Sequence, residues 1–181
     1  MKFLLLLLLF TGYLSAQTIT IAAAANMKYA IEDIAKVFTN NTGIDVKIVT
    51  GASGKLTQQI ISGAPYDVFL SADIEFPTKL AQMGYATTPM QVYAYGTLIL
   101  WTNTDLDISK GVPSLTSSTV KKIAIANPKT APYGTEALNS IKFYKVQDAL
   151  MPKLVIAESI SQTATYISSK SVDVGFMAKS I

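Results

Sequence analysis

Four places in this chain bring small or polar residues to the point where a strand-like segment gives way to a helix-like one. They are Ala25-Asn26, Ala52-Ser53-Gly54, Ala131-Pro132-Tyr133-Gly134 and Glu158-Ser159-Ile160. The first N–H groups of a helix have no intrahelical partner and carry partial positive charge. Several of them aimed at one point bind an anion without any charged side chain. Asn26 and Ser53 bring side-chain donors of their own. Each junction taken singly also reads as ordinary capping, because Asn and Ser are preferred N-caps. The two readings are compatible, and it is the set of four that points to an anion.

Composition removes the competing chemistries. Histidine and cysteine are both absent, which takes away the commonest general base, the thiolate metal site and any disulfide framework. The formal charge is +3, and all 15 basic residues are lysine. A nucleic-acid reader uses Arg forks in a clustered basic stripe; these lysines are scattered, so no nucleic-acid partner is expected. Two enzyme footholds exist, with a Ser/Lys hydrolase as the remote alternative. Ser118-Thr119-Val120-Lys121 fits S-x-x-K, but the companion motifs S-D-N and K-T-G are missing. Residues 51–55 faintly resemble a phosphate loop, which Val49 and Leu56 break. A non-enzyme without cofactor is expected.

Strand-like and helix-like segments alternate along the chain and position these junctions. Residues 18–24 read as a buried strand. Met27, Ala30, Ile31, Ile34, Ala35 and Phe38 then form the stripe of an amphipathic helix closed by Thr42-Gly43. A strand over 44–50, a short helix with Leu56 and Ile60 on its inner face, a strand over 67–71 and a helix over 74–83 follow. The run 90–102 is β-prone throughout, and 103–119 reads as a loop with a short helix. The second half predicts strands at 122–126, 153–157 and 172–177, with helices at 133–144 and 160–169. Such alternation predicts an α/β protein with mostly parallel sheets. Two lobes are expected, 17–94 and 95–177, with residues 92–98 crossing between them and 178–181 beginning a return crossing. In open parallel sheets, ligands bind beyond the carboxyl ends of the strands.

The chain begins with Lys2, an almost pure leucine run from Phe3 to Phe10, and Leu14-Ser15-Ala16 before Gln17. That pattern predicts a signal peptide cleaved after Ala16, since the apolar core is too short to span a bilayer. Export to a periplasm follows, and the missing cysteine argues against a lipid anchor.

Four stretches make the sequence recognisable: AAAANMKYAIEDIAKVF at 22–38, TGASGKLTQQIISGAPYDVFLSAD at 50–73, IAIANPKTAPYGTEAL at 123–138 and LVIAESISQTATYISSKSVDVGFM at 154–177. With them the chain resembles the periplasmic molybdate-binding proteins of ABC transporters, over essentially all of 18–181. The resemblance implies a class II periplasmic-binding fold with ligand enclosed between two α/β lobes, and a membrane permease as partner of a monomer. It implies oxyanion contacts at Asn26 with Ala25 adjacent, Ser53, Tyr133 and Ile160. Asn26 and Ser53 would contribute side chain and N–H, Ile160 its N–H, and Tyr133 its hydroxyl in place of a Tyr that some members carry where this chain has Ala178. The molybdenum would be held as oxyanion by these same residues, with no direct metal ligand. Tungstate, sulfate and a small organic acid are the alternative ligands. Family members continue for several dozen residues past the position of Ile181, so the C-terminal return segment is expected to be missing. Asp67 and Asp73 are nearby carboxylates that read as structural.

Overall fold

The computed structural model describes residues 17–181. The expected signal peptide, 1–16, lies outside the described residues. Strand β1 (Thr18–Ala24) runs into a 3-10 turn at Ala25–Met27 and helix α1 (Lys28–Thr42). Gly43 ends α1 in the left-handed conformation, φ 72°, with its N–H on the Thr39 carbonyl at 2.8 Å; glycine adopts that conformation at little cost. Then follow β2 (Asp45–Gly51), α2 (Ser53–Ile61), β3 (Val68–Leu70) and α3 (Glu75–Gln82). Residues 85–97 hold no helix or strand. The second half comprises β4 (Leu98–Trp101), a 3-10 turn at Val112–Thr116, β5 (Ile123–Ala126), α4 (Pro132–Phe143), α5 (Gln147–Leu150), β6 (Leu154–Ala157), α6 (Ile160–Ser168) and β7 (Val174–Ala178).

The strands form two sheets. The first is wholly parallel, in the order β2-β1-β3, with β1 in register from Thr18 opposite Asp45 to Ala24 opposite Gly51. The second runs β4-β7-β5-β6, parallel except where β4 pairs antiparallel with β7, Leu98 opposite Ala178. Each sheet with its helices is called a lobe below. The expected α/β class with mostly parallel sheets is what the chain adopts. β7 extends through Ala178, one residue past the boundary placed at 177.

The second lobe holds the larger core: Leu115, Val120, Ile123, Ile125, Ile141, Leu150 and Val174 are completely buried. The first lobe is thinner. On α1 the buried stripe narrows to Ile31 and Ala35, whereas Ala30 and Ile34 are exposed. Three strands offer too little sheet to cover the whole apolar flank of that helix.

Two other expectations need correction. Of the β-prone run 90–102, Leu98–Trp101 alone pairs as a strand. Val92, Tyr93 and Tyr95 are exposed and lie beside no ladder. A β-former gains little without cross-strand neighbours. Helix α5 and the 3-10 turn after it at Met151–Lys153 escaped the sequence reading, being shorter than one helical repeat of the apolar pattern. They position Lys153, whose amine donates to the carbonyls of Leu115, Thr116 and Ser117 at 3.0, 3.3 and 2.8 Å.

The first turn of α4 rests directly on the end of β5. A Cβ on Gly134 would lie 2.1 Å from the Ala126 carbonyl oxygen and 2.7 Å from its carbon. Backbone cannot swing aside as a side chain does. Gly134→Ala is therefore expected to cost about 1–3 kcal/mol or more, read as a Tm lowered by at least several degrees in a thermal melt.

Candidate anion-binding site

Parallel pairing sends the carboxyl ends of β1 and β2 the same way, and likewise those of β5 and β6. Each of these ends is followed by a helical start. The 3-10 turn opens directly after Ala24, α2 after Ala52, α4 after the loop 127–131, and α6 after Glu158-Ser159. The N-cap residues are Ala24, Ala52, Ala131 and Ser159. Of the four, Ser159 alone caps with its side chain, accepting the Gln162 N–H at 3.3 Å. The other three carry no side-chain cap among the described residues. Alanine at an N-cap forgoes about 0.5–2 kcal/mol relative to Ser, Asp or Asn. The plain capping reading of Asn26 and Ser53 is therefore replaced: Asn26 is the second residue of its turn and Ser53 the first of its helix, each inside an alanine cap.

All five sequence-predicted residues line one small cavity of ≈ 10 Å³, along with Ala24, Ala52, Ala72 and Ala131. Ala25, Asn26, Ser53, Tyr133 and Ile160 are buried, with 9 % or less of each exposed. Ala25, Asn26 and Ser53 come from the first lobe, Tyr133 and Ile160 from the second. The apolar residues around the cavity are mostly alanine: Ala25, Ala52, Ala126, Ala131 and Ala178 cluster with Tyr133 and Ile160. Their short side chains let main chain from both lobes approach closely. Ala178, where a tyrosine was considered, is completely buried in this cluster.

The polar side chains of the wall are those of Asn26, Ser53 and Tyr133. The Ser53 hydroxyl oxygen accepts the Ala72 N–H at 3.0 Å, which leaves its own proton to donate. Asn26 Oδ1 is buried with no hydrogen-bond partner among the described residues. The Tyr133 ring reaches the crossing segment, so that a Cβ on Gly96 would fall 2.1 Å from Oη. Burial raises the Tyr133 pKa above the ordinary 10.0, with the Asn26 side chain beside it pulling in the opposite direction. The Asn26 and Ala25 carbonyls are already engaged, accepting from the Ser180 hydroxyl at 2.8 Å and the Ser161 hydroxyl at 3.2 Å.

The carboxylates stand apart from this wall. Asp67 accepts the Thr20 N–H at 2.7 Å, and Asp73 accepts from the Ser71 hydroxyl at 3.0 Å and the Phe76 N–H at 3.2 Å. Neither lines the small cavity; both face a wider groove along β3 and residues 85–97, which meets the cavity at Asn26, Ala72 and Tyr133. Ser118 and Lys121 are exposed and line neither space. No cluster of three or more His, Cys, Asp or Glu forms among the described residues.

Sequence reasoning missed the contacts that join the lobes around the cavity. The Gly54 N–H donates to the Thr130 carbonyl at 2.8 Å. Lys55 pairs with Glu158 across the outside of the same seam, an exposed pair worth about 0–1 kcal/mol. Ser161 and Ser180 tie the second lobe and the segment after β7 to the turn at Ala25–Met27. Ser161 lies two residues past the cap Ser159 and Thr130 lies just before the cap Ala131, so proximity to the junctions was the signal available.

Comparison with known proteins matches this architecture. The family model described as bacterial extracellular solute-binding protein covers residues 19–181. The molybdate-binding protein ModA of Rhodobacter capsulatus is 38% identical over 168 residues, and that of Azotobacter vinelandii 35% over 166. The alignments take in 92% and 91% of this chain; the chain spans 66% of the length of each of these relatives. The solved periplasmic molybdate-binding protein of Azotobacter vinelandii superimposes with a TM-score of 0.83 at 34% identity, over 88% of this chain and 71% of that one. The chain belongs to the bacterial extracellular solute-binding protein family.

Proposed function

We propose that the protein captures a small tetrahedral oxyanion, molybdate or its analogue tungstate, in the cavity between its lobes. It hands that ion, outside the cytoplasm, to the permease of an ABC importer, and it carries out no chemistry on it. The observation behind this reading is that helical starts from both lobes border one buried cavity, three of them capped by alanine. Apart from the Gly54 N–H, which bonds the Thr130 carbonyl, their leading N–H groups are in this reading satisfied by the ligand. The relatives that carry molybdate in their names support the choice of ion, as does the donor character of the wall.

A tetrahedral dianion such as molybdate or sulfate offers acceptors alone. Phosphate near neutrality keeps a proton that it must donate. The nearby carboxylates, Asp67 and Asp73, are already occupied by their own neighbours, so phosphate would bury an unmatched donor at about 1–3 kcal/mol. In this reading the Asn26 amide turns so that Nδ2 donates to the anion, and the Tyr133 hydroxyl donates its single proton there as well. Ser53 contributes its free hydroxyl proton and its N–H. Ile160 contributes its N–H, its side chain sealing the cavity; Ala25 brings backbone and little bulk.

Sodium molybdate at about 100 times its Kd is expected to stabilise the full chain by roughly 2.7 kcal/mol, raising Tm, while phosphate leaves it unmoved. A transition indifferent to molybdate and tungstate would refute the assignment. Ser53→Ala and Asn26→Ala should each weaken molybdate binding by about 1–3 kcal/mol in calorimetry; unchanged affinity removes that residue from the site.

Affinity is expected to stay flat from about pH 6 to 8, since the chain has no histidine to titrate there. The raised pKa of Tyr133 keeps its hydroxyl neutral up to and beyond the ordinary value of 10.0. Stabilisation that depends on the neutral phenol is complete below that value and fades as pH climbs through the higher folded-state pKa. Binding measured against pH should therefore weaken on the far alkaline side, and less steeply in Tyr133→Phe. Strong titration near neutrality would contradict a site built from dipoles.

A further inference from the structure

We propose that Gly54 is a positioning residue that sets how far the two lobes close, and hence the width of the ligand cavity. This inference rests on the oxyanion-binding reading and extends it to a residue that need not touch the ion. Gly54 is the second residue of α2, between Ser53 in the cavity wall and Lys55 on the outer seam. Its N–H is turned away from the cavity's contents and bonds the Thr130 carbonyl of the other lobe at 2.8 Å. A Cβ placed on it would lie 3.0 Å from Thr130 Cα and 3.0 Å from Thr130 O, both main-chain atoms. The glycine has no positive φ, so its conformation would suit any residue. What demands glycine is the opposing backbone.

That contact acts as a stop. Main chain on main chain has no rotamer to yield, and the stop lies one residue from the Ser53 donor. A methyl group at Gly54 would force the seam to give by a few tenths of an ångström. Tetrahedral oxyanions of sulfur and of molybdenum differ in bond length by about that much, so the stop lies on the scale that separates them. A second atom lies close to the hypothetical Cβ, Phe76 Cζ at 2.8 Å. It belongs to α3 of the same lobe and is the tip of a side chain that can swing. The two contacts make separable claims: a clash with Phe76 would be a matter of local packing, whereas a clash with Thr130 acts across the seam between the lobes.

The absence of cysteine permits a direct test. Asn40→Cys and Lys142→Cys, at exposed positions on α1 and α4, give one label site on each lobe of the full chain. In the parent protein, sodium molybdate should shorten the label distance by resonance energy transfer. In Gly54→Ala the label distance should be longer than in the parent before any ligand is added. The ligand-bound distance should stay longer and the molybdate Kd rise about tenfold or more, as the population able to close falls. Gly54→Ala combined with Phe76→Ala should keep that defect. If the parent itself neither binds molybdate nor changes its label distance, the site reading fails and takes this inference with it. If the parent binds and closes, three results overturn the inference alone: Gly54→Ala with the parent's label distances and affinity, rescue by Phe76→Ala, or a Gly54→Ala that is unfolded.

Discussion

A buried N–H must find an acceptor, and in the proposed function the N–H groups at several helical starts find theirs in the ligand. The rest of the structure can be read as what it takes to sustain them. A buried donor without a partner costs on the order of 1–3 kcal/mol, so a chain does not keep a group of them by accident. Alanine at the caps of three helical starts withholds the usual side-chain remedy. Parallel sheets bring the starts to a common edge in each lobe, and a lining of alanines allows main chain to come within reach of a small ion. A cation would supply attraction more simply. It would also bind many anions, whereas fixed dipoles reward a ligand whose acceptors match their directions.

The two lobes contribute unequally. The second is built on a deep aliphatic core, with β5 completely buried along its length. The first has a short third strand and many of its large apolar side chains exposed, among them Ile34, Val37, Val68 and Ile74. Yet Ser53, the most deeply buried of the proposed ligand contacts, belongs to this thinner lobe. Its hydroxyl is fixed by the Ala72 N–H just past β3, so a small local network does what bulk packing does on the other side.

Much of this was legible beforehand, and the failures have physical causes. The junctions that hold Asn26, Ser53, Tyr133 and Ile160 stood out because a helix start after a parallel strand is a local event, written in neighbouring residues; the resemblance then singled out those four. The cavity they share could be inferred from topology, since parallel strands have one carboxyl edge. Caps were misjudged by one or two residues, because Asn26 and Ser53 are good N-cap types and the alanines before them are not. The stretch 90–97 looked like a strand because Val92, Tyr93 and Tyr95 favour one, but pairing needs a neighbour that sequence does not display. Gly54 and Thr130 were invisible as a pair for the same reason. Contact across 76 positions of chain leaves no periodicity to read.

The abutment of Gly134 on the end of β5 has a bearing on how such a protein changes over generations. The ligand-facing start of α4 shares main-chain contacts with the centre of a core sheet, so variation there is screened by folding before ligand choice can be sampled. The start of α2 meets main chain too, but across the seam at Thr130 and not in the sheet of its own lobe. If the proposed function holds, drift in ion preference within a lineage should therefore accumulate on the first lobe's half of the cavity, with the second lobe changing less.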